Sequence, residues 1–218
     1  MTKNIVRLAL ASLFTISLTA CVSTSTEVKQ NTAYEFPIIL SAQQPVLIFP
    51  VSLHGVPGND REVGLAITAG VTGKHGASVV SSQQLYDVVG NLSWTVGENM
   101  RRHVNQGNYA LTGSAKRIAD DLTGAIQKLT KTLKSTGVIK DKGFNFNRVI
   151  VLHVDSSGGI PVPGVNRVTA FGGIIDLENQ AVVSYIEKDL VLADGYDAVL
   201  AQMPMEMNGI IEDLINKG

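Results

Sequence analysis

Two long extended runs in the C-terminal third meet at a short turn, and no other feature of the sequence constrains the fold as strongly. The runs are RVTAFGGIIDL and AVVSYIEKDLVL, which meet around Glu178, Asn179 and Gln180. Runs rich in β-branched and aromatic residues on either side of a polar turn predict an antiparallel hairpin. The preceding run RVIVLHV (148–154) predicts a further strand, so the chain carries a three-stranded stretch of sheet.

Other apolar segments predict helices and strands in alternation before this stretch. PVLIFPVSL (45–53) is continuously apolar, which is typical of a strand covered on both faces. A helix with Val63, Ile67 and Val71 on one face follows, and ASVVS (77–81) predicts a second strand. The order predicts a single α/β domain with a mixed β-sheet covered by helices.

Four further helices are predicted, two of them short. SQQLYDVVG and the segment 93–106 are the short ones, and Thr95 with Glu98 has capping-box spacing in the second. The clearest helix begins at Ser114 as its N-cap, carries Asp120 and Asp121 near its positive end, and stops at Gly137. Pro204 predicts a kink or a division into two short helices in the last segment, YDAVLAQMPMEMNGIIEDLINK.

These runs also resemble a known group of domains. VLIFPVSL followed by a helix, GASVVSSQQLYDVV and GGIIDLENQAVVSYIEKD are similar to the periplasmic α/β domains of TolB (its N-terminal domain), LpoB, PelC and CsgG. The resemblance covers about 45–215 and departs from the group's pattern at Gln180, where glycine is usual. It implies a non-enzymatic accessory of the cell envelope that binds another protein or itself. PelC-like and CsgG-like relatives form rings, and LpoB-like relatives activate a peptidoglycan synthase.

The N-terminus has the layout of an export signal. Lys3 and Arg7 precede the uncharged apolar segment 8–18. In a helix this segment would rise about 16 Å, roughly half the hydrocarbon thickness of a bilayer, which favours a cleaved secretory signal over a membrane span.

The sequence Leu18-Thr19-Ala20-Cys21 ends this signal and resembles the lipobox of bacterial lipoproteins. The resemblance implies cleavage before Cys21, a diacylglycerol on its sulfur and an acyl chain on its new amino group. The alternative is an ordinary signal with a coincidental cysteine. The position of Cys21, the only cysteine in the chain, favours lipidation and leaves no thiol for a disulfide.

The residues after Cys21 predict the location and the domain boundaries. Val22 stands where an aspartate would retain an enterobacterial lipoprotein in the inner membrane, which favours the outer membrane with the domain facing the periplasm. The polar segment 22–32 predicts a tether. The predicted divisions are a signal peptide at 1–20, the lipidated cysteine and tether at 21–44, and the periplasmic domain at 45–218.

The charge balance argues against a nucleic-acid partner. Without Lys3 and Arg7 the chain keeps 16 basic residues against 19 acidic ones, a formal charge of −3. Such a chain has no overall basic field to attract a phosphate backbone.

Chemical motifs are weak. His153, Asp155, Ser156 and Ser157 cluster at a strand end, and a periplasmic hydrolase using this His153–Ser157 cluster is one alternative. A small-ligand or glycan-binding module using the loop SSGGIPVPG is another. GVTGKHG fails the phosphate-loop pattern at both ends, and the four histidines lack metal-ligand spacing. We therefore expect no catalytic residue, metal or cofactor.

The candidate interface residues are Trp94, Arg101, Arg102, Met203 and Met205. Tryptophan and arginine are enriched at protein interfaces, and methionine adapts to varied partners. The alternative is that the tryptophan and methionines fill the core. The prediction is an anchored lipoprotein that binds itself or another envelope protein.

Overall fold

The computed structural model describes residues 27–41, 45–54, 60–76, 79–80, 92–140, 145–156, 165–193 and 196–216. The predicted signal, Cys21, the predicted helix SQQLYDVVG and residues 157–164 of the predicted loop lie outside these ranges.

Seven strands and four helices make up the described part of the chain. The strands are β1 (Val28–Gln30), β2 (Val46–Ile48), β3 (Ser52–His54), β4 (Val79–Val80), β5 (Arg148–Asp155), β6 (Val165–Asp176) and β7 (Ala181–Ala193). The helices are α1 (Asp60–His75), α2 (Leu92–Val104), α3 (Gly113–Ser135) and α4 (Tyr196–Asn216).

All seven strands belong to one mixed sheet. The strand order is β1-β7-β6-β5-β2-β4, and β3 also pairs with β5 beyond the end of β2. Strand β2 pairs in parallel with β4 and β5, and β3 pairs in parallel with β5. The pairs β5–β6, β6–β7 and β7–β1 are antiparallel. The predicted hairpin is confirmed as β6 and β7, and the predicted α/β class with a mixed sheet and covering helices is confirmed as well.

Helices cover both faces of the sheet, because buried side chains alternate along the central strands. On β5, Ile150 and Leu152 pack with apolar residues of α1 and α4. Val149 and Val151 point to the opposite face and pack with apolar residues of α2 and α3. A strand buried on both faces accounts for the continuous apolar runs in the sequence.

Two adjacent glycines of β6 let helices approach the sheet closely from both sides. A Cβ atom on Gly172 would collide with the side chain of Ile210 in α4 and lie 3.1 Å from Leu214. A Cβ atom on Gly173 would lie 2.6 Å from the end of Met100 in α2, on the other face. Because both residues lack a side chain, side chains of α4 and α2 contact the backbone of β6 directly, one from each face.

The predicted strand 45–53 is interrupted at Pro50, which has no N–H to donate to a strand ladder. Ile48 pairs with Ile150, but Ser52 pairs with His153, so the first strand has one residue more than β5 across this interval. The N–H of Val51 donates instead to Oγ1 of Thr68 in α1 over 2.9 Å. The result is a bulge between β2 and β3 that is fixed to α1.

The predicted positions of two helix ends are wrong. Helix α2 begins at Leu92, so Thr95 lies inside it and does not cap it. Helix α3 has Thr112 rather than Ser114 at its N-cap. The predicted stop is confirmed, since Gly137 has φ +75° and follows Thr136, the C-cap of α3.

The predicted role of Asp120 at the positive end of α3 is also wrong. It lies in the third turn of the helix, where it pairs with Lys116 at 3.2 Å and accepts a hydrogen bond from Nε2 of Gln180. Gln180 has φ +48°, the left-handed conformation in which glycine is favoured. Gln180 therefore takes a backbone conformation that is usual for glycine and adds a side-chain contact to α3.

Helix α4 runs without a break through Pro204, and the predicted division into two short helices is wrong. A Cβ atom on Gly70 of α1 would lie 2.8 Å from Cβ of Pro204. The missing side chain at Gly70 therefore makes room for the proline where α1 and α4 pack together.

The predicted tether and domain boundary are wrong for the residues from Val28 onward. Strand β1 pairs with β7 at the edge of the sheet, and Lys29 donates to Asn105 over 2.6 Å. Farther along, Ile38 is buried, and its N–H donates to the carbonyl of Ile215 over 3.0 Å. The predicted tether residues 28–32 thus belong to the folded domain or its immediate edge.

Within the described ranges, no helix combines the length and the apolar character that crossing a membrane requires.

Replacing Gly172 with alanine tests the close approach of α4. We expect Gly172→Ala to lower the free energy of unfolding by about 1–3 kcal/mol, because the added methyl group overpacks the contact with α4. Gly124→Ala on α3 is the control: its Cβ would meet nothing within 4 Å, and alanine should raise stability by up to about 1 kcal/mol. Urea unfolding of both variants measures the difference, and equal effects would contradict the packing argument.

Candidate functional site

A polar row crosses the sheet at the C-terminal end of β5, on the face covered by α2 and α3. Strand pairing places His54, Asp155, Thr169 and Asp189 side by side in that order. Nδ1 of His54 lies 3.1 Å from Oδ1 of Asp155, and the hydroxyl of Thr169 donates to Oδ1 of Asp189 over 2.9 Å. Polar groups therefore meet where parallel strands β3 and β5 end.

His153 lies one row farther into the domain and is buried, with 1% of its surface exposed. Its ring stacks on Phe171 with 5.7 Å between the ring centroids. In the described part of the chain neither ring nitrogen forms a hydrogen bond of good geometry, although the backbone of Ser52 lies near enough to affect the pKa of the ring. Burial lowers the pKa of His153 to about 4, against the opposing effect of the nearby carboxylate of Asp155. The ring is therefore neutral at pH 7 and fills space in the core.

The structure does not join the predicted His153–Ser157 cluster into a catalytic arrangement. Asp155 pairs with His54, which is on the neighbouring strand, and not with His153. The backbone N–H of Ser156 donates to the carbonyl of His54 over 3.0 Å. Ser157 lies outside the described residues. A buried, neutral imidazole without a hydrogen-bonded carboxylate differs from the base of a serine hydrolase.

Arg101 reaches from α2 toward strands β6 and β7 of the sheet. Its guanidinium carbon lies 5.2 Å from the centre of the Phe171 ring, and Nη2 lies 3.5 Å from Oε1 of Glu187 on β7. Nη1 lies 4.0 Å from Oε1 of Glu98, one turn earlier in α2. The hydroxyl of Tyr185 donates to the other carboxylate oxygen of Glu187 over 3.3 Å. These contacts hold the arginine although 45% of its side chain stays exposed.

Burial also affects Tyr185. It raises the pKa of the phenol, and the carboxylate of Glu187 adds to the effect. The hydroxyl therefore stays protonated and remains a hydrogen-bond donor to Glu187.

The other interface candidates on α2 differ from Arg101. Arg102 is exposed on the same helix and forms no ion pair within the described part of the chain. Trp94 lies in α2, three residues before Gly97, but its side chain is outside the described set. The interface prediction for Trp94 stays a prediction.

The two candidate methionines of α4, Met203 and Met205, differ in burial. Met203 is fully buried in the core between the sheet and the α1/α4 layer, so its predicted place at an interface is wrong and the core-filling alternative holds. Met205 is 68% exposed. Residues two apart on a helix point in different directions, which accounts for the difference.

The described histidines do not form a metal-binding cluster. His103 lies 3.2 Å from the hydroxyl of Thr112, and His54 and His153 have the separate neighbours described above. Across the described ranges, no three His, Cys, Asp or Glu side chains are placed to hold a metal ion.

The stacking of Arg101 on Phe171 is the feature that sequence reasoning missed. Arg101 was identified by its residue type, but Phe171 lies seventy positions away in β6. The Gly-Gly pair directly after Phe171 is the one local signal that could have indicated a close approach by another element.

Comparison with known proteins finds no matching family model and no matching curated protein. Among solved structures, the chain is similar to a PelC dodecamer from Paraburkholderia phytofirmans, with 12% identity, a TM-score of 0.44, and coverage of 89% of this chain and 100% of that one. It is also similar to the hypothetical protein CT253 from Chlamydia trachomatis, with 10% identity, a TM-score of 0.42 and coverage of 79% and 98%. Lipoprotein GNA1162 from Neisseria meningitidis shows 16% identity, a TM-score of 0.32 and coverage of 78% and 99%. The resemblance to PelC that the sequence indicated is therefore also found as a structural similarity, at low sequence identity.

The lowered pKa of His153 predicts an acid-sensitive core. Between the ordinary pKa of 6.5 and the folded value of about 4, the unfolded chain binds the proton that the folded chain excludes. Stability that is present above pH 6.5 is therefore lost as the pH falls through this window. From about pH 7.5 to about pH 5 the loss from this residue is about 2 kcal/mol.

The variant His153→Leu removes this titration and places an apolar side chain of similar size in the core. Urea unfolding at several pH values should show a smaller loss of stability on acidification in the variant than in the wild type. Parallel curves for the two proteins would contradict the assignment.

Proposed function

We propose that this chain is a lipid-anchored periplasmic lipoprotein of the outer membrane that acts by binding protein, either a second copy of itself or another envelope protein, and not by catalysis. The lipobox-like sequence ending at Cys21 supports the anchor. The burial of His153 and the pairing of Asp155 with His54 support binding over hydrolysis.

The observation that carries the proposal is that Arg101 is held in place yet nearly half exposed. Arginine is enriched among the residues that dominate binding energy at interfaces. A side chain already fixed by Phe171 and Glu187 loses little conformational freedom when a partner binds it. Such an arginine suits a protein interface better than a freely moving one does.

The surroundings of Arg101 extend this surface along β7. Asp189 and Val191 follow Glu187 at intervals of two, so all three lie on the same face of the sheet. Val191 is 61% exposed. We call the set of Glu98, Arg101, Glu187, Asp189 and Val191 the Arg101 surface. An apolar residue rimmed by charges is the usual anatomy of an interface.

The position of β1 limits how far the domain can stand from the membrane. Val28 follows Cys21 by seven residues, a stretch that reaches about 25 Å at most. A lipid on Cys21 would therefore hold the domain close to the membrane surface. Confinement to this layer raises the local concentration of partners and favours weak contacts.

Substituting the predicted lipid attachment site tests the anchor. We expect Cys21→Ser to abolish incorporation of labelled palmitate and to shift the protein out of the outer-membrane fraction, because each buried CH₂ of an acyl chain contributes about 0.8 kcal/mol to membrane binding. Ser23→Ala, two residues away, should behave like the wild type. Palmitate labelling that persists in Cys21→Ser would exclude this site.

Substituting Arg101 tests the interface. With a photoreactive amino acid at position 191 of the full-length chain, irradiation of cells should give a discrete crosslinked band. Arg101→Ala should weaken that band by about tenfold or more, the loss expected for a contact worth about 1.4 kcal/mol or more. Arg117→Ala is the matched control, an exposed arginine on α3.

The identity of the crosslinked band separates the two forms of the proposal. A ladder containing this chain alone indicates self-assembly, and a band containing one other envelope protein indicates an adaptor or activator. Bands of equal strength in Arg101→Ala and in the wild type would remove the Arg101 surface from the proposal, even if the Cys21 experiment succeeds.

A further inference from the structure

A pocket of about 410 Å³ lies between the segment that follows β1 and the end of α4. Its lining residues are Gln30, Asn31, Thr32, Tyr34, Phe36, Pro37 and Asn216. This volume falls within the range of small-molecule sites in proteins. The pocket is on the α4 side of the sheet edge and is separate from the Arg101 surface, which is on the opposite face.

Among the described residues, the lining of this pocket contains no charged side chain. It combines three carboxamides, a hydroxyl and a phenol with the aromatic rings of Tyr34 and Phe36. Recognition of phosphates, carboxylates or amines normally uses an opposite charge. An uncharged polar ligand therefore fits this lining better than an ionic one.

One carboxamide of the wall lacks a partner. Nε2 of Gln30 is buried and has no hydrogen-bond partner in the described structure. A buried donor without an acceptor is unfavourable, so buried polar groups in folded proteins are nearly always paired. Rotation of the Gln30 side chain, which lines the pocket, would bring this donor within reach of a ligand oxygen.

Other groups of the wall are already fixed by the protein. Nδ2 of Asn31 donates to the carbonyl of Val182 over 3.1 Å, and Oδ1 accepts from the N–H of Ala33 over 3.1 Å. The ring of Tyr34 lies against Arg148, with 5.8 Å from its centre to the guanidinium carbon. Phe36 and Tyr34 also pack against the core. A wall with restrained side chains binds a ligand at a lower entropic cost.

We propose that this pocket binds a neutral sugar. The ring hydroxyls of a sugar both donate and accept, which matches carboxamides and a hydroxyl better than a purely apolar ligand would. The C–H face of a sugar can pack on an aromatic ring, as apolar surfaces do. A hydroxyl oxygen accepts the hydrogen bond that Gln30 leaves unused.

Saturation-transfer NMR on the full chain in detergent micelles tests the proposal. The probes are glucose, N-acetylglucosamine and cellobiose, each titrated to about 20 mM, well above a millimolar dissociation constant. We expect saturable binding of at least one sugar. Gln30→Met keeps the side-chain length but removes the donor, and should weaken that binding by about tenfold.

Two further variants make the result specific to this pocket. Asn216→Leu, at the exposed last residue of α4, should also weaken sugar binding without depending on strand β1. Gln127→Met makes the same substitution in a second pocket of about 340 Å³, beside α3, and should bind like the wild type.

Four results would overturn the proposal. The first is the absence of saturable binding by all three sugars. The second is wild-type affinity in both Gln30→Met and Asn216→Leu. The third is an equal loss in Gln127→Met. The fourth is tighter binding of acetyl-proline methylamide than of any sugar, which would identify a peptide pocket instead.

Discussion

The architecture depends on the absence of side chains at Gly172 and Gly173. One faces α4 and the other faces α2, so each layer of helices packs against the backbone of the same strand. Helix α2 approaches the sheet at Gly173 through Met100. On the same helix, Gly97 lies over His153 and Arg101 lies over Phe171. The contact of Arg101 with Phe171 and the burial of His153 both depend on the close packing of α2 against β5 and β6.

Hydrophobic periodicity was sufficient to predict the α/β class, the β6–β7 hairpin and most helices, because those elements bury long regular faces. It was insufficient for β1, whose three residues are largely polar and form an edge strand through pairing with β7. Short edge strands are stabilised by backbone hydrogen bonds to their neighbour, and these leave little trace in side-chain pattern. Residue type also failed to locate the start of α3, because its N-cap Thr112 makes no side-chain capping hydrogen bond.

The candidate site was predictable in part. Residue type alone identified Arg101, since few exposed side chains recognise proteins as well as arginine. The ring beneath it and the carboxylate beside it come from β6 and β7, so their contribution depends on strand pairing that no local pattern encodes. Met203 shows the reverse limit: its type suggested a surface, but the helical position directs it into the core.

The bulge at Pro50 has a consequence for the accuracy of folding. Before it, Leu47 and Phe49 face the α2/α3 core; after it, Val51 and Leu53 face the α1/α4 core. A pairing shifted by one residue would exchange these faces along the strand. Because the Val51 N–H bonds to Thr68 of α1, a shifted strand would lose this bond as well as its packing. The bulge at Pro50 therefore fixes the register of an apolar segment that could otherwise pair in more than one register with β5.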